Sequence, residues 1–441
     1  MKINAKKYFD EGKKRGLDPY TLSYSFSTET SVEVFNGEVE TQQIGTTQDI
    51  GAKAIYDGKL GSFGTDAIDE KTAGLMADNI LESAKFGKEE KAENFYHGGG
   101  RYKKAKTVLP DFKPATLAQI REAALGLCKK IQERDARLTK VQVNISMIDA
   151  TSGKENSYGV KCKDAIKCFV GYIELVAEDE TKEPRSGSHS FHSFHSLDDL
   201  MKEADLILDE AIHSAVDFFK TGPCKSKKYK AVLKPGAVAS LLGFYLSQLN
   251  AKSVHKHLSL FEGKLNQEIM SKSITMRHTP HVTCGSSGSF DADGHPTTDF
   301  TFVQRGVLKT YFHSVETALE DGIESNGCAV GSGNAGPMVV TVTPGKKSLD
   351  ELFAKMKNGI YITSISGLNS GINAQTLDFS LPCQGYLIKD GKIDKAVSMI
   401  ACAGNLKDLF NSVVALGSES KYDGGIFTPA FLVKNFAISG K

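Results

Sequence analysis

The chain has 441 residues, 40% hydrophobic and 24% charged, with 54 basic against 53 acidic side chains and a net charge of +1. That length exceeds what one hydrophobic core usually supports, so two domains are expected, and the composition is that of an ordinary globular protein. Charge so close to neutral offers no global field for DNA or an anionic membrane, and a nucleic-acid or membrane role finds no support there.

No apolar run approaches the ~18–20 residues a membrane helix needs. The opening MKINAKKYFDEGKKRG reads as a polar amphipathic helix rather than a signal peptide, so a cytoplasmic location is expected. Eight cysteines, at 128, 162, 168, 224, 284, 328, 383 and 402, lie far apart without a CxxC pair. Such scatter argues for reduced, mostly buried thiols instead of disulfides or a structural zinc.

In chain order, 3–16 and 69–87 read as helices, the second capped by Asp66 or Asp69 and striped by Ala73, Leu75, Met76, Ile80, Leu81 and Ala84. Between them 20–35, 38–45 and 50–56 alternate like antiparallel strands, with Asn36-Gly37 and Asp57-Gly58 as hairpin turns. A basic connector over 97–114 leads to a helix at 115–135 and strands at 139–150, 154–162 and 166–181. A helix from Ser196 through 200–219 stops at Thr221-Gly222-Pro223, and Lys225–Leu233 follows as a strand. The domain boundary is placed near 222, giving domains over 1–222 and 223–441.

The second domain opens with a helix at 235–250, Pro235 in its first turn. Strands are read at 263–275, 281–291, 297–315, 337–343 and 384–402, with helices at 348–358 and 404–415. The stretch from Ser289 to Ala318 carries an acidic turn and then a hairpin about Arg305-Gly306. Strands grouped apart from helices indicate an α+β protein: an N-terminal α+β domain with an antiparallel sheet, and a C-terminal mostly-β domain, barrel-like or one large antiparallel sheet.

Candidate chemistry is sparse. His189, His192 and His195 fall at a spacing that places them on no common face with an acidic partner, and read as an exposed loop or edge strand. His255 and His257 would share a side only if they lay on a strand. His281 beside Cys284 suggests a dyad without a readable geometry. Gly285-Ser286-Ser287-Gly288 is no nucleophile elbow, and Gly331-Ser332-Gly333-Asn334-Ala335-Gly336 lacks the Gly-Lys-Ser/Thr ending of a phosphate loop. Asp291, Asp293 and Asp299 surround Gly294, but Phe302 stands where a calcium loop needs its last Glu, so an Asx-rich turn is read.

Several blocks together resemble the TldD/PmbA family, once labelled modulators of DNA gyrase and regarded as peptidases. They are Gly51 through Asp66, Phe290 through Thr297 with Asp291, Asp293 and Gly294, Gly306 through Tyr311, Asn326 through Ala329, Gly359 through Thr363, Gly385 through Ile393, and Ala403-Gly404-Asn405-Leu406. The catalytic branch of that family carries an HExxxH zinc motif on the helix opening its second domain, with a Cys near its C-terminus. Here Gly243 and Gln248 fall at the two His positions and Phe244 at the Glu, while 421–426 offers no Cys.

The resemblance therefore implies a member of the PmbA (TldE-like) branch, without catalytic residues or metal ligands of its own. It implies a homodimer, or a heterodimer with a TldD-like HExxxH subunit that alone holds zinc, acting on small or unfolded peptides. Gly331, Gly333 and Asn334, with Gly367, Asn369 and Gly371, are the candidate cleft-lining residues. Two other readings stand beside it: a homodimeric peptide-binding or regulatory protein, and an independent peptidase using His255/His257 or His281/Cys284.

Overall fold

The computed structural model describes residues 3–180 and 182–441. Residues 1 and 2 of the N-terminal helical reading, and residue 181 closing the third strand reading, lie outside them. The chain divides into one unit of residues 1–219 with 283–285, and another of 220–282 with 286–441. It is an α+β protein.

The first unit runs α1 (Ala5–Lys14), β1 (Tyr20–Phe35), β2 (Glu38–Tyr56), β3 (Lys59–Thr65), α2 (Thr72–Lys85), α3 (Leu117–Gln132), β4 (Leu138–Asn156), β5 (Lys161–Glu178), β6 (Pro184–Ser193) and α4 (Leu197–Val216). Its six strands form one antiparallel sheet in the order β3-β2-β1-β4-β5-β6. At the β1–β2 and β2–β3 turns, Asn36-Gly37 and Asp57-Gly58 all take positive φ, the geometry that matches strand twist in a two-residue hairpin.

Two expected strand breaks are absent. Residues 38–45 and 50–56 belong to one 19-residue strand, and 139–150 with 154–156 to the equally long β4, whereas the strand read at 154–162 is cut by the β4–β5 turn at 157–160. The alternation fails near 45–49 and 150–154 because both faces are partly open to solvent there, while the backbone ladder with β1 continues unbroken. Helices cover the remainder of the sheet. Tyr8, Met76 and Ile80 pack with Tyr20, Leu22 and Ile50, while α3 and α4 bring Ile120, Leu127, Leu200 and Leu208 onto Val143, Phe169 and Ile173.

The second unit contains β7 (Lys227–Leu233), α5 (Pro235–Ser247), α6 (Ala251–His255), β8 (Met276–His278), β9 (Phe300–Gln304), β10 (Val307–Leu308), α7 (Val315–Glu320), β11 (Ala329–Gly331), β12 (Asn334–Ala335) and β13 (Val340–Val342). It continues with α8 (Leu349–Met356), β14 (Gly359–Ile365), α9 (Leu368–Gly371), β15 (Asp378–Lys389), β16 (Lys392–Asn405), α10 (Leu406–Asn411), β17 (Val413–Asp423) and β18 (Ile426–Ser439). The large sheet is mixed rather than wholly antiparallel, since β13–β18 and β14–β7 run parallel. Because β18 also pairs with β7, the strands β7-β14-β15-β16-β18 close on themselves.

The strands expected at 263–275 and 281–291 do not form; the short β8 begins at Met276, just past the first. Ile269, Met270 and Ile274 are buried, but their segment winds irregularly along the β9–β10 turn, with Ile269 N donating to Gly306 O. Residues 281–291 fold into consecutive turns, Gly288 N donating back to Pro280 O. The expected hairpin about Arg305-Gly306 is present as β9–β10. All eight cysteines are buried, and none is in a disulfide.

Helix α5 sits against β14, β17 and β18 and is apolar on almost every side. Tyr245 lies at the centre of this core, its ring 4.9 Å from Phe261 and 5.0 Å from Phe410, its hydroxyl donating to Ile269 O. Truncating it opens a large cavity, so Tyr245→Ala should cost about 3–5 kcal/mol. Tyr245→Phe should cost only about 1–2 kcal/mol, for the carbonyl left without its donor. Urea unfolding of both variants checks this order.

Candidate functional site

The site is built on α5. Pro235 suits the first helical turn because its φ is already fixed and no N–H is lost there. The otherwise apolar surface of the helix breaks at Gly243, where an added Cβ would meet nothing within 4 Å. Gly243, Leu246, Ser247 and Asn250 instead face a cavity of about 300 Å³. Its other walls are the segment Ala335 to Met338 with Val340, and the β17–β18 turn Gly424-Gly425-Ile426.

That turn is tied to the opposite wall by Val340 N donating to Gly425 O at 2.9 Å, and beside it the Tyr422 and Ser286 hydroxyls meet at 2.9 Å. The helix and the C-terminal hairpin, where the sequence resemblance expects a His and a Cys, therefore meet at one cavity. Its lining carries no imidazole, thiol or carboxylate. Among the described residues no group of three or more His, Cys, Asp or Glu could hold a metal ion. A catalytic zinc needs two or three such donors, so the residues present do not fit it.

The other two replaced positions do not face this cavity's walls. Gln248 is buried, its Nε2 donating to Ala374 O at 2.6 Å and its Oε1 accepting from Leu260 N at 2.8 Å. Phe244 packs on the core. Gln248 thus stitches the end of α5 to two loops, a structural task that motif reading could not reveal.

The Gly-rich candidates are firmly held. Gly331 and Gly333 flank the β11–β12 turn, and Lys252 closes over it, donating to Ser332 O at 2.8 Å and pairing with Glu316 at 3.0 Å. A Cβ on Gly333 would stand 1.7 Å from the Glu316 carboxylate, and its φ of +71° favours glycine independently. Asn334 Oδ1 accepts from Asn250 Nδ2 at 3.1 Å, so it touches the cavity wall without lining it. Gly367 precedes α9 as its N-cap, and a Cβ on Gly371 would stand 2.6 Å from Ser380 O. Asn369 lies on the same short helix, and none of the three lines the cavity.

Asp291 forms the expected Asx turn. Its buried carboxylate accepts from Asp293 N, His295 N and Ala329 N, each at 2.9 Å, with Gly294 at positive φ. Burial, and then the charge of Asp293, hold its proton more tightly than in an ordinary carboxyl. Asp293 Oδ2 accepts from Val315 N at the start of α7. Asn405 caps α10 and donates to Asp378 Oδ1 at 2.9 Å, next to Gly404. Both motifs are turn architecture.

The histidine readings separate. His255 ends α6 and His257 follows in a turn, so they share no strand. The two ring nitrogens of His255 face Glu320 and Asp321, while His257 faces Glu262. His281 meets Asp299 at 2.9 Å and Thr297 at 3.2 Å, which occupies both its nitrogens. His189 and His192 lie on the edge strand β6.

Sequence reasoning passed over His278. It is fully buried on β8, its Nδ1 donating to Thr298 O at 2.9 Å and its Nε2 accepting from Met338 N at 3.2 Å. It thereby fixes one wall of the cavity. Only its place next to a strand end hinted at this.

The second unit of this α+β chain wraps a buried helix and meets its C-terminal hairpin at one cavity. Comparison defines the class as metallopeptidase-related: residues 226–440 match the PmbA/TldA metallopeptidase C-terminal domain and residues 20–90 match its domain 1. The chain belongs to the PmbA/TldD family. An uncharacterized protein of Methanocaldococcus jannaschii is 26% identical across 99% of this chain and 100% of its own. The protein named metalloprotease PmbA in Escherichia coli O157:H7 is 22% identical over 98% and 93%. A solved Thermotoga maritima protein, described as a proposed modulator of DNA gyrase, superimposes with a TM-score of 0.87 at 26% identity over 99% of both chains. TldE from Thermococcus kodakarensis shares the fold, with a TM-score of 0.84 at 18% identity over 99% and 100%.

Burial pushes the His278 imidazole down to about 4, because a charged ring there has no water and Met338 N–H already points at Nε2. The folded state thus resists a proton that the unfolded chain accepts near 6.5, and stability falls as pH drops from about 6.5 to 4. The loss from this one side chain should be on the order of 3 kcal/mol. Urea midpoints at pH 7.5 and 4.5 should show it, and His278→Gln should lose that share of the pH dependence while being less stable at pH 7.5.

Proposed function

We propose that this chain is a PmbA/TldE-like, metal-free subunit of a two-component zinc-dependent peptidase acting on small or unfolded peptides. The observation that carries the reading is the cavity at Gly243: helix, strand segment and C-terminal hairpin converge as a peptidase scaffold would have them, and the donors zinc needs are not among its residues. Membership of the PmbA/TldD family supports it. Hydrolysis falls to a TldD-like HExxxH partner, which holds the zinc.

This chain's own part is to bind and orient peptide. The cavity offers small and apolar side chains with exposed backbone, suited to an extended chain held by main-chain hydrogen bonds more than by charge. The turn at 331–334 meets its wall through Asn334 and Asn250.

Purified alone, the chain should cleave no unstructured peptide. Mixed with an HExxxH-bearing relative from the same organism, it should co-elute and raise that relative's peptidase activity. Gly243→Phe fills open space without touching the core, so it should leave co-elution intact and lower kcat/KM of the mixture by about tenfold. Cleavage by the lone chain, or a mixture no more active than the relative by itself, would contradict the proposal.

A further inference from the structure

A second concavity in the C-terminal unit, of about 500 Å³, has the opposite chemistry to the cavity at Gly243. Lys225, Lys227, Lys228 and Lys230 line it from β7 and the residues before it, and Lys389 and Lys395 line it from the β15–β16 hairpin. All six are exposed, and Asp394 is the one acidic side chain in the lining. Among the described residues none of the six is joined to a carboxylate. In a chain with a net charge of only +1, this is a local concentration of positive charge that folding itself assembles.

The strand pattern explains why a groove exists there. In the closed sheet, β14 lies between β7 and β15. It pairs with β7 only from Ile360↔Ala231 onward, so β7 outruns it by Lys227 to Lys230. On that side none of these four residues is in register with β14, while Lys227, Lys228 and Tyr229 pair with β18 on the other. The groove is therefore a short stretch of open strand edge, closed at one end by Asn358 and Gly359 and bordered by Leu387 and Ile388.

Like charges gathered without counter-ions beside unpaired backbone cost free energy that a ligand recovers. We propose that this groove docks an extended acidic polypeptide segment, its backbone adding to the open edge of β7 and its carboxylates meeting the lysines. A strand edge selects an extended peptide, and lysines on both banks select negative side chains. The inference concerns a different surface from the cavity at Gly243 and holds whether or not the peptidase reading does.

The test is fluorescence anisotropy with a labelled twelve-residue Glu-Val repeat. The peptide should bind, weaken steeply between about 50 and 300 mM salt because the attraction is screened, and be unmatched by a Gln-Val repeat. Lys227→Gln/Lys228→Gln/Lys230→Gln should weaken binding about tenfold or more. Lys389→Gln/Lys395→Gln, on the other bank, should weaken it in the same direction, with circular dichroism unchanged in both. Lys129→Gln, on a helix of the first unit, should have no effect. Unchanged affinity in both groove variants, or tighter binding of a single-stranded oligonucleotide through the same lysines, would overturn the proposal.

Discussion

A helix that is apolar on nearly every side has to be surrounded, and the C-terminal unit is organised around that need of α5. An amphipathic helix can lie on one face of a sheet, but this one must be covered by strands from several directions. The closing of β7, β14, β15, β16 and β18 into a ring, with β17 alongside, supplies the cover. β18 is the strand that makes it possible, pairing along its length with β13, β17, β7 and β16. The single relief in the helix surface is Gly243, and the cavity exists because no side chain fills that relief.

From that constraint the functional reading follows. The helix, the 335–340 segment and the β17–β18 turn are held at the cavity by covalent distance and by hydrogen bonds such as Val340 to Gly425, whatever side chains they carry. A scaffold of this kind keeps its geometry when the reactive groups are exchanged. In this chain, glycine stands at one such position, a core phenylalanine at the next, and a glutamine that bridges Ala374 and Leu260 at the third. Two of the three are used inside the fold, and the third opens onto the cavity.

Much of the architecture was legible in the sequence, for reasons that differ by element. The hairpins at Asn36-Gly37, Asp57-Gly58 and Arg305-Gly306 announced themselves because two successive positive-φ positions strongly restrict residue choice. The helix α2 was readable from its periodic apolar stripe, and α4 from its start at Ser196 and its stop at Thr221-Gly222-Pro223. The long strands β2 and β4 were split in the reading because alternation vanishes where both sheet faces meet solvent, though the ladder does not need it. Strands β14, β17 and β18 were missed or unplaced: β18 is an almost continuous buried run without a period of two, while β17 lies at an edge and is largely exposed after Leu416.

The site was legible only in part. That 243, 244 and 248 fall at the family's ligand positions came only from the resemblance, while Asp291 was read as the Asx turn that the structure shows. That Gly333 and Gly371 serve close packing could not be read, because their purpose depends on Glu316, Lys252 and Ser380, which fold against them from elsewhere in the chain. The role of His278 was equally hidden, being defined by a carbonyl and an N–H on two other segments. The central claim, a peptidase scaffold without its own metal donors, is tested most directly by zinc stoichiometry of the purified lone chain after equilibration with micromolar zinc. The account predicts far less than one zinc per chain. One tightly held zinc per chain, lost on substitution of this chain's own side chains around the α5 cavity, would contradict it.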